Sequence, residues 1–73
     1  MLVIDMKQTA FKLKQLRKTK KLTIINLGKI IGVSKASIIK WEHGEYIPTV
    51  DHLVSLAELY NVSIDELIIR KDV

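Results

Sequence analysis

Thr23-Ile24-Ile25-Asn26-Leu27-Gly28-Lys29-Ile30-Ile31-Gly32-Val33-Ser34-Lys35-Ala36-Ser37-Ile38-Ile39-Lys40-Trp41-Glu42-His43 is the stretch that decides how this chain folds. Thr23 is an N-cap candidate, because its hydroxyl can accept from an amide of the first helical turn. A helix follows through Ile24, Leu27 and Ile31. Gly32 can take a positive φ and end it, and Ser34 caps a second helix whose inner side carries Ile38 and Trp41. Only Gly32 and Val33 separate the two helices. So short a turn sets the second helix across the first with its N-terminus projecting outward, while Val33 turns into the crevice between them.

On either side of residues 23–43 the same reasoning predicts three more helices. Thr9 is read as the cap of a first helix that buries Ala10, Phe11, Leu13 and Leu16 and ends in the basic stretch Lys18–Lys21, suited to the negative end of its dipole. Gly44 closes the third helix, and Ile47-Pro48 is an extended joint. Thr49 then caps a fourth helix with Val50, Leu53, Val54, Leu56, Ala57 and Tyr60 on one stripe. Ser63-Ile64-Asp65-Glu66 reads as a capping box with Val62 as its hydrophobic staple, opening a short fifth helix through Ile68. Leu2-Val3-Ile4 suits a short strand, paired with Ile68-Ile69-Arg70. The expectation is an all-α domain of five helices over residues 1–73, with residues 1–8 as an N-terminal extension and short strands at the two ends.

Charge narrows the function classes. Residues 1–40 carry ten Lys/Arg against the single acid Asp5, whereas residues 41–73 carry two against seven acids. Such polarity presents a positive face to an anionic partner: nucleic acid first, a membrane surface second. A basic amphipathic helix over residues 9–21 would suit a membrane, but its apolar side is needed for the core of so small a domain. With no Cys there is no disulfide framework or thiolate zinc site, which fits a reducing cytoplasm. Met1-Leu2-Val3-Ile4 is cut off by Asp5 and Lys7, too short for a signal peptide or a membrane span. Two His, no Cys and no phosphate-binding Gly loop or paired-carboxylate pattern argue against an enzyme, a cofactor or a metal.

Leu22-Thr23, Leu27, Ile31-Gly32-Val33-Ser34-Lys35-Ala36-Ser37-Ile38, Trp41-Glu42-His43-Gly44, Pro48, Leu53, Leu56-Ala57, Val62-Ser63 and Asp65-Glu66-Leu67 together resemble the phage repressor/Cro-type (Xre-like) helix-turn-helix regulators. The likeness covers residues 11–68. It implies a compact lambda-repressor-like fold, sequence-specific binding of double-stranded DNA with the third helix in the major groove, and a cytoplasmic transcriptional regulator, most simply a repressor, of bacterial or phage origin. The alternative is an antitoxin-like or other protein-interaction module on the same fold, since fold does not fix function. Lys35 and Lys40 on the exposed face favour DNA.

Plotted at about 100° per residue, Lys35, Ala36, Ile39, Lys40 and His43 share the half of the third helix opposite Ile38, Trp41 and Glu42, with Ser37 at its edge. The resemblance makes Lys35, Ala36, Ser37, Ile39 and Lys40 the base-facing set. Lys can donate to guanine O6/N7 and Ala can touch a thymine methyl. Thr23, Ser34, Lys29, His43 and Tyr46 are the phosphate candidates, the first two through the amides of the helix starts they cap. The resemblance also implies an ion pair between Arg17 and Glu42. Ile24, Ile25 and Ile30 depart from the family, which often has Gln, an acid and another polar residue there, so the usual Gln phosphate contact is absent. Gly28 stands where Ala is commoner and permits close helix approach.

One recognition helix reads few base pairs, so a homodimer on a two-fold site is expected, with half-sites about 34–36 Å apart. Ile64, Leu67, Ile68 and Ile69 are the dimer candidates, joined by Leu2 and Ile4. No small-molecule ligand or ligand domain is evident, so any signal would act through concentration, a partner or proteolysis.

Overall fold

A computed structural model describes the whole chain, Met1–Val73. Its elements run β1 (Leu2–Ile4), α1 (Met6–Thr19), α2 (Ile24–Ile31), α3 (Lys35–His43), α4 (Val50–Tyr60), α5 (Ile64–Leu67) and β2 (Arg70–Asp72). The five helices enclose one core built on Leu13, Leu27, Ile38, Trp41, Leu56 and Leu67. The two strands pair antiparallel at the chain ends.

The hydroxyl caps behave as their sequence positions suggest. Thr23 accepts from the Asn26 amide at 3.0 Å and Ser34 from the Ser37 amide at 3.1 Å. Ser63 and Glu66 complete a reciprocal capping box. Thr49 occupies the N-cap of α4, but its hydroxyl faces His52 Nδ1 at 3.2 Å and makes no cap bond. Gly32 and Gly44 end α2 and α3 in the left-handed region, at φ 74° and 79°.

Four expectations are corrected. Asp5 rather than Thr9 caps α1, its carboxylate accepting from the Gln8 amide at 3.0 Å. Thr9 lies buried inside that helix, where its hydroxyl accepts from the Ile69 amide at 3.0 Å and donates to the Ile69 carbonyl at 3.3 Å. Phe11 is 56% exposed, because at 100° per residue it points away from the stripe of Thr9, Ala10, Leu13 and Arg17 that α1 buries. Val50 and Val54 are likewise exposed: Val54 sits off the stripe of Leu53, Leu56, Ala57 and Tyr60, and Val50 lies in the first turn, at the end of the packed face. The strand pairing is displaced by two residues, with Leu2 opposite Asp72, Val3 opposite Lys71 and Ile4 opposite Arg70.

Leu67 is also corrected as a dimer candidate, since it is wholly buried in the core of its own chain. Ile68 packs partly on that core, Ile69 is half-buried and Ile64 is exposed.

Candidate nucleic-acid interface

Gly28 fixes the geometry of the helix pair. A Cβ at this position would lie 2.7 Å from the Val33 carbonyl oxygen, closer than real side chains approach. The Gly28 carbonyl in turn accepts from the amides of Gly32 at 2.8 Å and Val33 at 3.0 Å. The left-handed Gly32 and this doubly used carbonyl turn the chain in two residues, and Val33 packs against the core. The start of α3 is thereby carried outward from α2.

A buried ion pair holds the other end of α3. Arg17 Nε donates to Glu42 Oε2 at 2.7 Å and Nη2 donates to Oε1 at 2.9 Å, a bidentate fork. Nη1 donates to the Leu22 carbonyl at 2.9 Å, so one side chain ties α1, the loop before α2 and the end of α3 together. The two side chains are 9% and 6% exposed. The Glu42 carboxylate raises the Arg17 pKa against the opposing effect of burial. Tyr60 lies in the same charged surroundings; burial and then the Glu42 charge push its phenol up to about 12.

Held at both ends, α3 presents an outer face. Lys35, Ala36, Lys40 and His43 are exposed, Ser37 and Ile39 are half-buried, and Ile38 and Trp41 are in the core. The Ser37 hydroxyl lies 3.0 Å from that of Ser34. Lys40 reaches back so that Nζ is 5.2 Å from the centroid of the Tyr46 ring, a cation–π arrangement. Ser37, Lys40 and Tyr46 line one open groove together with Thr49 and His52. His43 lines another, between α1 and α3, with Lys7, Phe11 and Lys14. Thr23 and Lys29 are exposed on α2. The base-facing and phosphate candidates therefore lie on the exposed face of α3 and in its two flanking grooves, except Thr23 and Lys29, which belong to the neighbouring α2.

His52, Lys7 and Lys14 line these grooves, and sequence reasoning did not single them out. His52 belongs to α4, and its ring lies 5.5 Å from Trp41. A helical-wheel reading of α4 marks it only as polar. Lys7 and Lys14 looked like ordinary members of a basic helix, and only the packing of α1 on α3 sets them beside His43. Ile24 packs against the core, whereas Ile25 and Ile30 remain exposed.

A family model described as Helix-turn-helix matches residues 13–67. The chain belongs to this helix-turn-helix family. Among curated relatives it is 44% identical over 57 residues to the HTH-type transcriptional regulator YobD of Bacillus subtilis, covering 78% of this chain and 51% of that protein. It is 40% identical over 57 residues to the HTH-type transcriptional activator BcrR of Enterococcus faecalis, with 78% and 28% covered. It is 41% identical over 51 residues to the cryptic phage CTXphi transcriptional repressor RstR of Vibrio cholerae, with 70% and 46% covered. The chain thus spans about half or less of the length of these relatives.

Among solved structures, the DNA-binding domain of the P22 c2 repressor superposes with a TM-score of 0.74 at 32% identity, covering 81% of this chain and 78% of that one. The restriction-modification controller protein C.AhdI of Aeromonas hydrophila has a TM-score of 0.77 at 22% identity, over 86% and 96%, a likeness of fold alone. Apo-HppE matches with a TM-score of 0.75 at 26% identity, over 86% of this chain but 35% of that one. The lambda-repressor-like five-helix fold is therefore the architecture of this family member.

Proposed function

We propose that this domain binds double-stranded DNA sequence-specifically, lays α3 in the major groove and regulates transcription by occupying a promoter, most simply as a repressor. The observation that carries this reading is the exposed face of α3: Lys35, Ala36 and Lys40 are exposed on one side while Ile38 and Trp41 anchor the other. Lys35 and Ala36 lie in the first turn, the part of a recognition helix that meets base edges. Phosphates are taken by the first-turn amides of α2 and α3, which the Thr23 and Ser34 hydroxyls leave unpaired. Lys29, His43 and Tyr46 supply the flanking contacts. The relatives that are regulators and the P22 c2 DNA-binding domain support the reading, and RstR supports the repressor form of it.

No reaction is assigned to the chain. Its relatives are transcriptional regulators, and no three His, Asp or Glu side chains are gathered where they would hold a metal. The likeness to HppE stops at about a third of that protein. No helix is long and apolar enough to cross a membrane.

A second copy completes the site. Two α3 helices on a two-fold axis read two half-sites about 34–36 Å apart, and a symmetric operator follows from a symmetric dimer. The test is a genomic pull-down of bound fragments followed by duplex binding across salt. Specific binding survives competitor DNA and weakens as salt rises. Failure to retain any duplex at low salt would overturn the DNA reading in favour of the protein-interaction alternative.

A further inference from the structure

We infer that the outer edge of β1 is the seam along which two copies of this chain join, merging their sheets into one of four strands in the order β2-β1-β1-β2. This deepens the dimer part of the reading above and rests on it.

The ladder decides which way each backbone group points. The Val73 amide donates to the Met1 carbonyl at 2.8 Å and the Asp5 amide to the Ile69 carbonyl at 2.7 Å, on either side of the central pair Val3 and Lys71. Hydrogen-bonded and non-hydrogen-bonded pairs alternate in an antiparallel ladder. Met1, Val3 and Asp5 therefore face β2, and Leu2 and Ile4 aim their amides and carbonyls away from it. That edge is open. On the outer face of the sheet Leu2 is 67% and Ile4 41% exposed. β1 is short, at three residues, but it carries no Pro, Lys or bulge to blunt its edge, and a two-stranded ribbon is marginal by itself.

The partner that fits this edge is β1 itself. An antiparallel two-fold through Val3 sets Leu2 of each copy against Ile4 of the other, each pair exchanging both amide–carbonyl bonds. The two Leu and two Ile side chains then meet on one face. Pairing through β2 instead would set Lys71 against Lys71, and like charges directly opposite are destabilising.

The chain has no cysteine, so Val3→Cys supplies a single thiol on the proposed axis. There the facing Cα atoms would be about 4.5 Å apart, within disulfide reach. Mild oxidation of the Val3→Cys chain is expected to give a covalent dimer, and oxidation of Lys71→Cys under the same conditions is not. Leu2→Pro removes the outward amide while sparing the β1–β2 ladder. Sedimentation equilibrium should show its dimer dissociation constant raised about tenfold or more, with a circular-dichroism melt close to that of the parent. A covalent dimer from Lys71→Cys but not Val3→Cys, or an unchanged dissociation constant for Leu2→Pro, would overturn the seam and leave a dimer through another surface. A parent chain that stays monomeric at every concentration would overturn the seam and the dimer together, while duplex binding by the monomer would still be measurable.

Discussion

Arg17 is the residue on which the orientation of α3 depends, because its guanidinium meets a carboxylate of α3 and a carbonyl before α2 at once. Both charges are out of water, so the pair is a positional device more than a source of stability: a hydrophobic substitute for both can be neutral, whereas losing one strands the other. Glu42→Gln is expected to lower stability by roughly 3–5 kcal/mol, read as a shift in the urea midpoint, and to weaken duplex binding. A variant matching the parent in both would remove the pair's role. Tyr60 makes a second test. Its pKa is raised in the folded state, so its contribution is complete below the ordinary tyrosine value near pH 10 and is lost as pH rises toward about 12. Between those limits the unfolded chain gives up the proton and the folded one keeps it. Stability should fall there with a slope approaching about 1.4 kcal/mol per pH unit, and a Tyr60→Phe chain should show less of that fall.

Among the elements, α2 and α3 were the most legible in the sequence, because their ends are chemical: Thr23 and Ser34 cap, and Gly32 and Gly44 stop. The start of α1 is ambiguous in the sequence, because Asp5 and Thr9 are both good caps ahead of the same apolar stripe. What settles it is Ile69, sixty positions away, whose backbone occupies the Thr9 hydroxyl; no local pattern carries that. Lys21, with φ 58°, was equally silent, since nothing about a lysine in a basic run announces a left-handed residue. Gly28 shows the opposite case, where composition hinted at close approach and the distance to Val33 gives the reason. Gly28→Ala gains roughly 1 kcal/mol of helix propensity but forces the turn backbone to move, at a cost of about 1–3 kcal/mol for overpacking. The expected outcome is a lower Tm and weaker duplex binding; a higher Tm would show that the turn yields freely.

For the molecule as a whole, folding preserves the charge division of the sequence: the basic residues of 1–40 lie on α1, α2 and α3 and, as Lys20 and Lys21, in the turn after α1, while the acids lie mostly on α4, α5 and β2. Binding steered by such a face should fall steeply with salt, each phosphate contact contributing about one unit of slope. The exposed face of α3 was legible from periodicity, because Ile38 and Trp41 mark its buried side. The flanking grooves were not, since they join residues of α1, α3 and α4 that only packing brings together. The most direct test of the account is anisotropy titration of a selected duplex and a scrambled one with the parent chain, Lys35→Ala and Lys29→Ala. Lys35→Ala should lose roughly 1–3 kcal/mol on the selected duplex and much of the discrimination between the two, whereas Lys29→Ala should weaken both alike and lower the salt slope by about one. If Lys35→Ala leaves the discrimination intact, or the parent shows none, α3 does not read DNA sequence.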